Sequence, residues 1–145
     1  IVAIKYSVPR EMYKRLTELA NDRLIVSTAS ENDWHQNIQE LDWKLYLCSS
    51  PPFLLQTKND KRMKKYTDLA FRKDFENSKL ICDSLDIVRE AFHSSKPQGK
   101  PHAHQKYWQE LLGQVGGRTR FPNQELTKDE KKKIQIAFEA SGLIK

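Results

Sequence analysis

Lys5 closes a run of four apolar residues, Ile1-Val2-Ala3-Ile4, and an amine in that position can do chemistry. The run favours a strand buried on both faces. A lysine at the C-terminal end of such a strand is costly to bury unless it has a task. In a parallel α/β barrel, catalytic groups collect at that end of the strands. A desolvated amine there is neutral enough to attack a ketone and form a Schiff base. The plain alternative is a lysine whose ammonium snorkels from the strand end into water.

The residues that follow predict elements able to hold such a lysine. Pro9 suits the first turn of a helix, and Met12, Leu16, Leu19 and Ala20 recur at helical spacing. Asn21-Asp22 breaks that helix, and Leu24-Ile25-Val26 predicts a second short buried strand. A loop of small residues follows, and residues 31–41 predict a second helix with Trp34, Ile38 and Leu41 on one face. Leu45-Tyr46-Leu47-Cys48 predicts a third strand, stopped by Ser49-Ser50-Pro51-Pro52. This β-α-β-α-β order implies parallel strands joined by right-handed crossovers. The remainder is helical. Helices are expected over residues 53–71, 74–93 and 101–112, the last closed by Gly113. Thr127-Lys128-Asp129-Glu130 has capping-box spacing and opens a final helix that ends at Gly142. The expected division places strand-helix units in residues 1–71 and a helical region in residues 72–145.

A length of 145 residues suits one domain, and 38% hydrophobic residues suffice for a core. There is no apolar run long enough to span a membrane, and no basic stretch precedes the apolar start as in a signal peptide. Cys48 and Cys82 lie far apart, which fits thiols in a reducing cytosol. The net charge of +6 raises nucleic acid as a partner. However, the lysines of residues 58–65 and 128–133 are interspersed with Asp60, Asp129 and Glu130, as on solvated helix faces. No zinc spacing or basic-aromatic platform accompanies them, so neither nucleic acid nor membrane is expected as a partner. His102 and His104 are expected at the surface, since no third metal ligand is evident. Trp34, Trp43 and Trp108 are expected in cores, and Arg120 in a salt bridge. The apolar opening strand needs neighbours on both sides, as in one half of an assembly.

Two groups of residues carry a resemblance. Ile1-Val2-Ala3-Ile4-Lys5 has the form [IV]-V-[GA]-[IVF]-K. About 100 residues on, Lys106, Leu111-Leu112-Gly113, Gly116-Gly117, Arg120 and Pro122 fit K-x4-L-L-G-x2-G-G-x2-R-x-P. Two anchors in order are more specific than either alone. On these residues the chain resembles the dihydrodipicolinate synthase and N-acetylneuraminate lyase family, pyruvate-dependent class I aldolases. The resemblance implies an α/β fold: strands six to eight of a TIM (β/α)8 barrel, the C-terminal half, followed by helices.

The resemblance also implies roles. Lys5 would condense with pyruvate or a related 2-oxo acid, and no cofactor or metal is expected. Ser27-Thr28-Ala29-Ser30-Glu31 stands where the family has S-G-x-[DE]-[DE], making Thr28, Ser30 and Glu31 substrate-binding candidates. Thr28 replaces the usual glycine and narrows the pocket. Ser30 as an N-cap and Glu31 as a helix N-terminal acid are the structural alternatives. Cys48 and Ser49 would line the opposite wall. The family's carboxylate-binding pair and catalytic tyrosine lie upstream of its lysine strand. A homo-oligomer, commonly a tetramer, or a complementing N-terminal half barrel would be the partner. The competing reading is a non-catalytic paralogue or subunit of the same fold, used for association or ligand binding.

Overall fold

The apolar run at residues 1–5 pairs with the second apolar run and, among the described residues, with no other strand. A computed structural model of the chain describes residues 1–46 and 51–143. Strands β1 (Ala3–Lys5) and β2 (Ile25–Ser27) are parallel, with Ala3 opposite Ile25, Ile4 opposite Val26 and Lys5 opposite Ser27. The ladder extends through Ile25 N–H to Val2 O (3.0 Å) and Tyr6 N–H to Ser27 O (2.7 Å). Helix α1 (Arg10–Ala20) makes the crossover and packs on β2. It gives way to a 3-10 turn at Asn21–Arg23, where Asn21 adopts φ +48°.

Burial of the opening strand on both faces is not found: Ile1 is fully exposed and Val2 is 80% exposed. Both residues precede β1, whose own residues are half-buried at Ala3 and Ile4 and exposed at Lys5. The third strand is also corrected where it can be seen. Leu45 and Tyr46 lie outside any strand, while Leu47, Cys48, Ser49 and Ser50 fall outside the described residues. Ser27 Oγ donates to Leu45 O at 3.0 Å, so a side chain rather than a ladder ties residue 45 to β2.

The chain divides into two compact units that interleave along the sequence: Ile1–Pro51 with Lys64–Cys82, and Pro52–Met63 with Asp83–Lys145. The first unit holds the sheet and α2 (Trp34–Leu41). Tyr13 and Asn37, both buried, exchange hydrogen bonds at 3.1 and 3.3 Å. Burial pushes the Tyr13 phenol up, against the Asn37 bond that lowers it. Trp43 packs on Tyr13 with centroids 5.2 Å apart and donates to Thr17 Oγ1 at 3.2 Å. The sheet is thus braced from α1 and from residues following α2.

The helical region is more broken than its periodicity suggests. The expected helix over residues 53–71 is α3 (Pro51–Leu54) and α4 (Arg62–Phe71), separated by a turn in which Thr57 Oγ1 accepts from the Asn59 and Asp60 N–H groups. The expected helix over residues 74–93 is α5 (Phe75–Asp83) and α6 (Asp86–Ser94). Arg62 Nη1 donates to Ser84 O between them at 2.6 Å, giving that carbonyl a side-chain partner. Helix α7 (Pro101–Leu111) ends before Gly113, whose φ of +79° suits a C-cap. Helix α8 (Lys128–Ala140) opens with both halves of the Thr127–Glu130 capping box.

Trp108 centres the second unit, fully buried, with Phe92 and Phe138 edge-on at 5.1 Å. Its indole donates to Leu54 O at 3.0 Å. The three tryptophans are buried as expected. His104 is a correction, because it is fully buried on the same face of α7 as Trp108. Arg120 is another: it is exposed, and the ion pair of its segment is Arg118 with Glu125 at 3.8 Å.

His104 Nε2 lies 3.0 Å from Ser95 Oγ, and that hydroxyl donates to Phe92 O at 3.3 Å. Ser95 thus partners Nε2, while buried Nδ1 has no hydrogen-bond partner. Burial, reinforced by Lys96 and His93, pushes the pKa down to about 4. The unfolded chain binds this proton more readily, so the contribution is present above the ordinary value of 6.5 and is lost as pH falls toward 4. Urea unfolding at pH 7 and pH 5 should show a loss of about 2 kcal/mol that His104→Phe abolishes. An equal loss in both proteins would remove His104 as its source.

The first glycine of the tail motif's pair has a steric reason, while Gly117 sits at φ +72° with nothing near a Cβ. A Cβ at Gly116 would lie 2.1 Å from Lys106 O and 2.7 Å from Glu110 Cγ. Lys106 Nζ donates to Gly116 O at 2.8 Å. Gly116→Ala should cost about 1–3 kcal/mol in chemical denaturation, as overpacking does. Gly113→Ala tests left-handed strain alone, since a Cβ there meets nothing within 4 Å.

Candidate functional site

Parallel pairing puts the C-terminal ends of β1 and β2 side by side, which sets Lys5 against Ser27 and the loop after it. Lys5 is exposed, while Ser27 is fully buried beneath it in the ladder. Thr28 is 3% exposed, and its Oγ1 accepts from Ser30 N–H at 3.4 Å. Ser30 is half-buried. Glu31 is 5% exposed. Its backbone O accepts from Trp34 N–H at 3.0 Å. Helix α2 starts only at Trp34 and has no side-chain cap, so Glu31 serves its N-terminus through the backbone carbonyl and Ser30 is not its N-cap. Cys48 and Ser49, proposed for the opposite wall, lie outside the described residues.

Two tyrosine hydroxyls hold this loop. Tyr46 donates to Ala29 O at 3.1 Å and stacks on Trp34, with centroids 5.1 Å apart and planes 19° apart. Trp34 is fixed in turn by its bond to Thr67 Oγ1 (3.1 Å) and by Phe71 edge-on at 6.1 Å. Fully buried Tyr66 donates to the Glu31 carboxylate at 2.6 Å. Ser78 Oγ donates to Tyr66 O at 2.8 Å, and the His35 ring lies 6.2 Å from the Tyr66 ring. A bond of this kind to a carboxylate is charge-assisted and short. Sequence reasoning missed Tyr66. The available signal was a tyrosine directly after two lysines, Lys64 and Lys65, in a helix, where the surface would favour a polar residue.

The structure therefore brings Lys5, Thr28, Ser30 and Glu31 to one end of the sheet but sorts them by depth. Lys5 and Ser30 reach solvent, whereas Thr28 and Glu31 lie beneath the surface. Among the described residues no group of three His, Cys, Asp or Glu side chains is placed to hold a metal ion. Nor, among them, is any helix long and apolar enough to cross a membrane.

Comparison with solved structures shows the fold. A crystal structure of dihydrodipicolinate synthase superposes on 99% of this chain with a TM-score of 0.71 and 21% sequence identity. The chain folds like part of that enzyme. It spans 46% of the enzyme's length. No protein-family model matches the sequence, and no curated protein does. The likeness to dihydrodipicolinate synthase is one of fold, and it accords with the α/β architecture and the C-terminal-half resemblance drawn from the strand and tail motifs.

Removal of the Tyr66 hydroxyl should leave the buried Glu31 carboxylate without this donor. Tyr66→Phe should cost about 1–3 kcal/mol in urea unfolding. A cost below about 0.5 kcal/mol would mean that Glu31 is satisfied without Tyr66.

Proposed function

We propose that this chain is the lysine-bearing half of a TIM-barrel lyase acting on pyruvate or a related 2-oxo acid. In this reading β1 and β2 are strands six and seven of the barrel, strand eight also belongs to this chain, and strands one to five come from an N-terminal half barrel. The observation that carries it is Lys5 at the C-terminal end of a strand paired in parallel with Ser27. That end is where barrel enzymes place their chemistry, and the fold is shared with a dihydrodipicolinate synthase.

The reaction follows from an amine beside a ketone. Neutral Nζ of Lys5 adds to C2, and loss of water gives a protonated imine. The electron pair of the C3–C4 bond flows into that imine as the C4 hydroxyl loses its proton, releasing an aldehyde and leaving an enamine. Protonation at C3 and attack of water return the 2-oxo acid and the lysine. Dehydration uses the same electron sink to expel hydroxide from C4 after C3 loses a proton. Desolvation of Lys5, exposed on this chain, is assigned to the half barrel that closes over the strand ends. Ser30 stands at the rim as a substrate contact. Assembly as a homotetramer is part of the same proposal.

A second reading, a non-catalytic subunit of the same fold, draws on the exposure of Lys5. One experiment separates the two. The protein in its natural full length is incubated with pyruvate and borohydride, and any adduct is mapped by peptide mass. The lyase reading expects an adduct on Lys5 that disappears in Lys5→Ala without a change in melting temperature, because an exposed side chain carries little of the fold. An adduct that survives Lys5→Ala would assign the chemistry to another lysine. No adduct at all would leave the non-catalytic reading standing.

A further inference from the structure

Helices α7 and α8 pack together, and the segment between them closes a cavity of about 310 Å³ against them. Tyr107 and Glu110 line it from α7, three residues apart and so on one face of the helix. Lys131 lines it from α8, and Arg118 and Glu125 from the connecting segment. All five belong to the second compact unit.

Four of these side chains are charged, two of each sign, and each has capacity to spare. Lys131 Nζ lies 5.2 Å from the centroid of the Tyr107 ring and, among the described residues, pairs with no carboxylate. Arg118 meets Glu125 at 3.8 Å, beyond hydrogen-bond reach, and both chains are exposed. Such a pair holds little, so either member can turn to a ligand. Glu110 accepts the Gly117 N–H on Oε1 at 2.9 Å, and among the described residues Oε2 accepts nothing. Ala103 and Leu126 add apolar surface to the lining.

The balance of charge decides what such a cavity can hold. A simple anion drawn to Lys131 and Arg118 would sit beside two carboxylates. A simple cation drawn to Glu110 and Glu125 would sit beside an ammonium and a guanidinium. Like-charge contact offsets the attraction in both cases. A ligand carrying both charges meets an opposite partner at each end. We infer that this cavity binds a small zwitterion, its carboxylate held by Lys131 and Arg118, its ammonium by Glu110 and Glu125, and its short aliphatic body by Ala103, Tyr107 and Leu126. A free amino acid has this chemistry. The inference draws on no residue of the Lys5 loop and stands apart from the lyase reading.

Calorimetric titration of the full-length protein at low ionic strength tests it. The probes are glycine, 4-aminobutanoate and 6-aminohexanoate as zwitterions of increasing length, with butanoate and butylammonium as the separated charges. The best of the zwitterions should bind about tenfold or more tightly than either single-charge probe. Lys131→Met and Glu110→Gln should each weaken it about tenfold, since each removes one charge and keeps the length of the chain. Lys132→Met, next along α8 and outside the cavity, should leave the affinity within about twofold. All three positions are exposed, and an unchanged melting temperature verifies that the variants fold. Butanoate or butylammonium binding as tightly as the best zwitterion would overturn the inference. So would a zwitterion affinity indifferent to both charge removals, or no binding of any probe up to about 10 mM.

Discussion

Two parallel strands of three residues cannot hold each other. They share only a few slanted ladder bonds, and parallel pairs gain less per residue than antiparallel ones. What keeps β1 beside β2 is the packing around them. The crossover helix α1 lies on β2, and Tyr13, Asn37 and Trp43 join it to residues on either side of α2's C-terminus. Every statement about Lys5 depends on that bracing, because it holds in place the ladder that sets Lys5 against Ser27. A one-residue slip would turn every side chain of the strand to the opposite face.

Much of this was legible in the residues. Both described strands, the α1 crossover and the capping box at Thr127 follow local rules that tertiary contacts leave intact. The long helices were read too generously. Residues 53–71 and 74–93 carry helical periodicity throughout, yet Thr57 and Ser84 sit where polar side chains or Arg62 satisfy the backbone better than another helical turn. Periodicity reports which face is apolar and is blind to such local competition. His104 failed for a related reason, since histidine is intermediate in burial and only its spacing from Trp108 hinted at the core.

The site was legible in position but not in depth. Sequence spacing places Thr28, Ser30 and Glu31 at one strand end, and parallel pairing delivers them there. Whether a side chain faces a substrate or the core depends on partners far along the chain. Tyr66 is 35 residues from Glu31 and Tyr46 is 17 residues from Ala29. A spacing rule between neighbours cannot see either tyrosine. A resemblance confined to short motifs therefore identifies the frame of such a site better than its chemistry.

The contact between Lys106 and Gly116 carries a different kind of consequence. The lysine's ammonium holds the glycine's carbonyl, and the lysine's own carbonyl leaves no room for a side chain at the glycine. Neither position can drift alone without cost: a larger residue at 116 collides, and a shorter one at 106 strands a carbonyl. Two positions ten residues apart thus act as a single unit, held by a hydrogen bond in one direction and by excluded volume in the other.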